Sequence, residues 1–427
     1  MRQNWKCFIA CLLLVGSLAF AGCGSSGTGD QTGGDNSGNG DGSGGGTDNG
    51  NNGGGVTPAA PKVAFTPVGE GIAFDLIDLE FLPGAGGESI AIGKGGSVYY
   101  LKSGFQVVGS PTTIDTIQDG TERGLLNVVA DPLYATNHYV YFYYTVNPAA
   151  PANDVNRVER RTVTVNVPGD TFSMSDPQTI IEFTKTGNAT NHNGGSLVFM
   201  DLNHMAAGVG EGADAPQAQD LGSRLGKIHR FIPSRTVGVG GLDAGSEDNG
   251  VSPTEPTTYV RGLRNPFTIV VDDEGDLFLG DVGASSFEEI DCVYQAGENY
   301  GWPNCEGDCE PFNIAFQDPL HGYAHGDNTF NNQDPEANPT GAESIMAAAF
   351  YQGTQYGGVF TDKLIYNEFF AGWVRLLSLN VLDQVTKDEH IGHLTGLTGL
   401  HENPADGLLY GVSLFGDDHI QRMDLVP

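Results

Sequence analysis

The sequence predicts an all-β protein whose sheets repeat as blades in a radial or stacked array, and three observations carry that reading. Strand-like alternation or short β-rich apolar runs fill "ESIAIGKGGSVYYL", "HYVYFYYTV", "GSLVFM", "TIVVDDEGDLFLGDV", "SIMAAAFYQ", "WVRLLSLNVL" and "GLLYGVSL". No long stretch with apolar residues at i, i+3 and i+4 competes with them. A unit of apolar run, Asp or Asn turn and aromatic-rich run recurs around Leu126, Leu197, Thr268 and Gly399, with a divergent copy from Ile72 to Leu101. Recurrence at spacings of tens of residues suits propeller blades. "VVDDEGDLFLGD" and "HENPADGLLYGVSL" supply hairpin chemistry through their Asp and Gly turns. The blades are long and their loops large, which is where a rigid wheel usually carries function.

The chain opens with Arg2 and Lys6, then an apolar run from about Cys7 to Phe20 and small residues before Cys23, the pattern of an export signal. The "LAFAGC" end looks like a bacterial lipobox, with Phe20 where Leu is commoner, and that likeness implies cleavage before Cys23 and its lipidation. An ordinary secretory signal cut nearby is the alternative. Residues 1–22 thus read as signal, 23–56 as a Gly/Ser/Asn/Asp-rich tether with almost nothing to bury, and 57–427 as the folded body. Gly24 after Cys23 favours the outer membrane, periplasmic or surface side, over inner-membrane retention.

With 53 acidic residues against 20 basic and a formal charge of -33, the chain is repelled by nucleic acid and by anionic lipid. Membrane contact is expected through the N-terminal lipid and not through charge. Export fits the cysteines: beyond Cys7, Cys11 and Cys23 the body keeps Cys292, Cys305 and Cys309. In an oxidising compartment two should pair, and Cys305 with Cys309 in "CEGDC" is the nearest candidate, with Cys292 to either left open.

Within the body, "TNHNGGSLVFM" sets His192 on a polar, glycine-rich turn just ahead of a strand. An imidazole there is a solvated loop residue or a base at the rim of a pocket. Arg264 and Asn265 stand in "GLRNP", and "GDVGASSFEEI" and "ENYGWPNCEGDCE" combine glycine-rich loops with carboxylates, which offer hard oxygens to a cation such as calcium. "GLRNP", "GDVG", "EEI" and "NYGWP" in this order, with "NHNGGSLVFM" and "LGSRLGKIHRF", resemble the soluble quinoprotein glucose dehydrogenase and sorbosone dehydrogenase family. The resemblance runs from about Val68 to Leu425.

That resemblance implies a six-bladed β-propeller of four-stranded antiparallel blades that binds pyrroloquinoline quinone (PQQ) and Ca2+. By it, His192 is the catalytic base, Arg264 and Asn265 contact the quinone, and Gly283 and Ala284 give carbonyls to the cofactor calcium. Glu288, Glu289 and Tyr300 match a further structural calcium site, with Glu310 as a looser candidate. Trp302 and Tyr300 also suit blade packing. The sequence departs from the family in three places. Phe267 stands where a glutamine is usual, Glu211 in "GVGEGAD" only loosely matches the acid that orients the base, and Gln352 replaces an arginine expected at the cofactor rim. An anionic quinone then depends on Arg264 and calcium, helped by Lys363 or Arg375.

The expected activity is oxidation of an aldose hydroxyl by hydride transfer to the quinone, with a small-molecule sugar as substrate and an external electron acceptor. Phe267 and Gln352 favour a rival, a non-catalytic tethered propeller binding a glycan or protein. A calcium-dependent hydrolase using His192 is a third and weaker alternative.

Overall fold

Alternating and fully apolar strand segments together account for the blades. In the computed structural model residues 60–427 are described, except 70–71, 73–74, 117–120, 147–152, 247–248, 310–314, 338–342 and 416–419. The signal, Cys23, the tether and Glu310 therefore lie outside the described residues.

The described strands pair into six antiparallel sheets of four. The first strands of the blades, β2 (Leu76–Phe81), β6 (Leu125–Ala130), β10 (Leu197–Phe199), β14 (Pro266–Val271), β18 (Ile345–Tyr351) and β22 (Leu397–Glu402), contact one another in ring order and surround the axis. The second strands β3 (Ser89–Gly93), β11 (Met205–Val209), β15 (Leu277–Asp281) and β23 (Leu409–Ser413) are buried at every residue, because neighbouring blades cover both faces. That is why "SIAIG" and "MAAGV" read as continuous apolar or small runs. Gly280 is required by this stacking: a Cβ there would lie 2.7 Å from Thr268 Oγ1 and 2.9 Å from the Ala347 nitrogen.

Polar side chains on and beside the inner strands latch each blade to the next. Asp78 accepts the Val128 amide at 2.9 Å, Asn127 that of Leu197 at 3.0 Å, Ser196 that of Ile269 at 3.0 Å and Thr268 that of Ala347 at 2.8 Å. Thr398 donates to the Ile77 carbonyl at 2.8 Å. Each contributes about 1 kcal/mol net, and each satisfies a backbone group at the axis that would otherwise be costly to bury. The ring closes where β1 (Lys62–Val68) pairs with β24 (Ile420–Val426), from Lys62 opposite Val426 to Val68 opposite Ile420. The radial array leaves exposed only the outer edge of each blade, the inner edge facing the axis.

Inner strands of five blades carry a register shift near their first residues, at Ile77, Leu126, Phe267, Ala348 and Thr398. Bulges of this kind re-aim side chains beside functional sites. Along the axis lies a cavity of about 580 Å³ lined by all six inner strands.

Candidate functional site

The loop that precedes β10 turns sharply because its residues permit it. His192 sits at φ 55°, in the left-handed region, and Gly194 follows at φ 63°. At Gly194 a Cβ would lie 2.4 Å from the Gly208 carbonyl oxygen, so the chain needs glycine there for space as well as for conformation. His192 is 9% exposed. Its Nδ1 lies 2.5 Å from Glu211 Oε1 and its Nε2 lies 2.8 Å from Arg264 Nη2. Arginine can only donate, so Nε2 accepts and the proton of a neutral ring rests on Nδ1, toward Glu211.

Arg264 and Asn265 immediately precede β14. Both amides donate to Asp281, at 2.9 and 2.6 Å. Arg264 Nη1 donates to the Val282 carbonyl at 2.7 Å, and the guanidinium lies 5.6 Å from the Trp302 ring centre. Asn265 accepts the Gly194 amide at 2.9 Å and donates to Glu122 Oε2 at 3.4 Å, the oxygen that also accepts the His192 amide at 2.6 Å. His192, Arg264 and Asn265 thus form one hydrogen-bonded constellation at the entry of the inner strands. Glu122 is a member that sequence reasoning missed. Its signal is positional, since "TERG" enters β6 as "NHNGG" enters β10 and "LRNP" enters β14.

The cation-binding residues expected from sequence are not gathered at one point. The amides of Ala284, Ser285, Ser286 and Phe287 converge on Glu306 Oε1 at 2.6 to 3.4 Å. Burial would raise this carboxyl, but the four donors outweigh it and hold it below its ordinary range. Cys305 and Cys309, which flank Glu306 and its neighbours, are joined by a disulfide with Cα atoms 5.7 Å apart, and Cys292 is a buried free thiol.

Glu288 and Glu289 are adjacent on β16 (Phe287–Val293) and so face opposite sides of the sheet. Glu288 meets His325 Nε2 at 2.7 Å and the Ile345 amide at 3.0 Å, toward the next blade. Glu289 accepts the Gly307 amide and lies across from Asp281 in the β15–β16 register. The Tyr300 hydroxyl donates to Glu298 at 3.0 Å and to the Cys292 carbonyl at 2.8 Å.

What does gather is Asp281, Glu289 and Asp291, all buried, with one oxygen from each within 4.8 Å of the others. Burial is the main force pushing all three carboxyls up; repulsion from Asp281 adds to it at Glu289 and Asp291, while at Asp281 the Arg264 and Asn265 amides and the Arg264 charge oppose it. Both oxygens of Asp291 are buried without a hydrogen-bond partner. Clustered carboxylates with orphaned oxygens fit a hard divalent cation. Asp281, which holds the Arg264 and Asn265 amides, joins this cluster to the His192 constellation.

The family model described as Glucose / Sorbosone dehydrogenase matches residues 76–410, from the start of β2 into β23. The chain belongs to the glucose and sorbosone dehydrogenase family. As a member it is an oxidoreductase of the sugar dehydrogenase type. It is 23% identical over 317 residues to the aldose sugar dehydrogenase YliI of Escherichia coli, covering 73% of this chain and 80% of that protein. The crystal structure of the soluble aldose sugar dehydrogenase of Escherichia coli in its apo form aligns with a TM-score of 0.67 at 20% identity, over 86% of this chain and 100% of that one. The PQQ-bound aldose sugar dehydrogenase of Streptomyces coelicolor aligns with a TM-score of 0.63 at 22% identity, over 86% of this chain and 99% of that one. Both share the propeller fold.

Against this family background, the structure relocates residues expected at the cofactor rim. Gln352 follows the last residue of β18, whereas Arg264 precedes the first residue of β14, so the two stand at opposite ends of the inner ring. Lys363 pairs with Tyr351 at that same far end. Arg375 is fixed by Asp388 at 2.8 Å and stacked 4.1 Å over Phe330. Phe267 lines the axial cavity. None of these four compensates or perturbs charge at His192.

Proposed function

We propose that the protein is an exported aldose dehydrogenase dependent on PQQ and calcium, tethered to the cell envelope through lipid on Cys23. The observation that carries the reading is His192 held between Glu211 and Arg264. Nε2 is the nitrogen that takes the proton of the sugar hydroxyl, and Glu211 stabilises the imidazolium that results. PQQ, when bound, supplies the acceptor for the hydride that leaves the same carbon. Arg264 and Asn265 would hold the quinone, with Arg264 offering fixed donors where negative charge develops. This requires Arg264 Nη2 to leave Nε2, so an anionic ligand that draws the guanidinium away also frees the base. Asp281, Glu289 and Asp291 would hold one calcium ion, and the Gly283–Ala284 segment beside Val282 would face the cofactor calcium. Electrons would pass to an external acceptor.

Two carboxylates at His192, Glu122 on its amide and Glu211 on its Nδ1, beside the single guanidinium of Arg264, favour a second reading, a tethered propeller that binds a glycan or protein without catalysis. One titration separates the two. Chelator-stripped protein is titrated with PQQ and Ca2+ while dye reduction is followed on an aldose panel. Turnover that needs both additions and vanishes in His192→Ala supports the dehydrogenase, and absence of quinone binding at micromolar concentration in calcium-stabilised protein supports the second reading. Mass spectrometry of the full chain from envelope fractions tests the anchor: a diacylated or triacylated Cys23 is expected, and an unmodified N-terminus nearby would refute it.

A further inference from the structure

β9 (Thr171–Thr184) ends one residue before Lys185, which is 1% exposed. Its side chain turns under the loop that follows. Nζ donates to the Ala189 carbonyl, to Asn193 Oδ1 at 2.8 Å and to the Asn191 carbonyl at 3.3 Å. An ammonium has three donors, and all three are spent on residues that bracket His192. Asn193 ties the loop further: its Nδ2 donates to the Thr190 carbonyl at 3.2 Å, and its own carbonyl accepts Tyr143 Oη at 2.8 Å and Asn156 Nδ2 at 3.1 Å.

Two costs meet at this place. A lysine buried so completely loses hydration that a surface lysine keeps. A histidine at φ 55° sits in a region that non-glycine residues seldom occupy and that persists where surroundings enforce it. The buried ammonium enforces it, because releasing the loop would strand three donors. The charge is balanced from neighbouring elements by Asp154, Glu122 and Glu211, with Arg123 opposing and itself paired to Asp154 at 2.7 Å.

We infer that Lys185 is a positioning residue for His192: its buried ammonium clips the 189–193 loop and so fixes where Nε2 points. The inference rests on His192 as base, and it adds a residue that touches neither substrate nor cofactor.

The test is Lys185→Met, read in two ways. In unloaded protein, hydrogen exchange of the peptide spanning 186–194 should accelerate at least about tenfold, while the melting temperature shows a single cooperative transition. In the protein loaded with PQQ and calcium, kcat should fall about 10²-fold, the size expected for a base displaced by about 1 Å, with KM changed less than about threefold. Unchanged exchange together with unchanged kcat overturns the proposal. So does a lowered melting temperature with normal kcat in the folded fraction, which would make Lys185 a packing residue. If Lys185→Met does not fold, Lys185→Gln keeps donors without charge and the same readings apply. His192→Ala run beside it separates the two claims: retained turnover there defeats the base reading, while exchange in the Lys185 variant still reports on the clip.

Discussion

Two buried polar regions share Asp281 and differ in completeness. At His192 each charged side chain named above has a partner on the chain: Glu211, Arg264, Glu122 and Lys185 close the network. On β15 and β16 Asp281, Glu289 and Asp291 stand together, and neither oxygen of Asp291 has a hydrogen-bond partner among the described residues. The first region is held by the protein itself, with the shift of Arg264 off Nε2 the one rearrangement its proposed role requires. The second would be completed by the calcium ion proposed above, because unpaired buried carboxylates cost far more than hydrogen-bonded ones.

The largest effects should come from breaking the complete region. His192→Ala should lower kcat about 10²- to 10⁴-fold, the range for losing a general base. Glu211→Gln preserves shape and removes the charge facing Nδ1, so its loss should lie at the lower end, about 10²-fold, with cooperative melting retained. Steady-state dye reduction on the loaded enzyme measures both. Equal activity of Glu211→Gln and wild type would show that Glu211 only packs.

Next in size is the incomplete region, where the sign of a mutation should depend on calcium. With calcium at 100 times its dissociation constant, wild type gains about 2.7 kcal/mol. Asp291→Asn should lose most of that gain. Without calcium the same variant should be more stable than wild type, since it removes an unpartnered buried acid. Thermal melts with and without chelator decide this, and destabilisation under both conditions would contradict it. Because burial above all holds these carboxyls above their ordinary range, they would have to release protons to bind the proposed ion. Calcium affinity should therefore weaken as pH is lowered.

A smaller effect tests whether the complete region depends on a titrating cation. Burial, opposed by Asp154 and Glu122, lowers Lys185 to about 8. Its unfolded value lies near 10.4, so between these values the folded form has lost a proton that the unfolded chain retains. By linkage, this group's contribution to stability therefore rises as pH goes from about 8 toward 10.4. Activity should fall, about tenfold by pH 9, because the neutral amine holds the loop less well. An alkaline fall in activity that this group accompanies with raised, not lowered, melting is the expected signature, and its persistence in Lys185→Met would assign it elsewhere.

How much of this is legible in the sequence depends on the kind of constraint. Inner strands and hairpins announce themselves by period and turn residues, yet the unit at Ile345–Tyr351 is obscured, since "IMAAAFY" lacks the Asp turn and aromatic pattern of the others. His192, Arg264 and Asn265 stand in marked turns before inner strands. Glu122 is marked only by its place in "TERG" before β6, and its role exists only where three blades converge. The partnership of Asp281, Glu289 and Asp291 depends on cross-strand register across the 282–286 turn, which spacing does not reveal. Strand period does place Glu288 and Glu289 on opposite faces, and that much follows from two adjacent letters once β16 is recognised.

Gln352 gives the smallest expected effect and the sharpest check on distance. Read by motif, it removes a charge from the cofactor rim. Read by position, it lies beyond the seven residues of β18, at the end of the inner ring away from Arg264. At about 3.3 Å per residue that strand spans roughly 23 Å. Exposed charges separated by more than the Debye length, about 8 Å at physiological ionic strength, are largely screened from one another. Gln352→Arg should therefore change the dissociation constant for PQQ by less than about twofold at that ionic strength. A tenfold tightening would correspond to about 1.4 kcal/mol, more than a screened charge at this range delivers, and would mean that the quinone binds nearer the far mouth of the axis than His192.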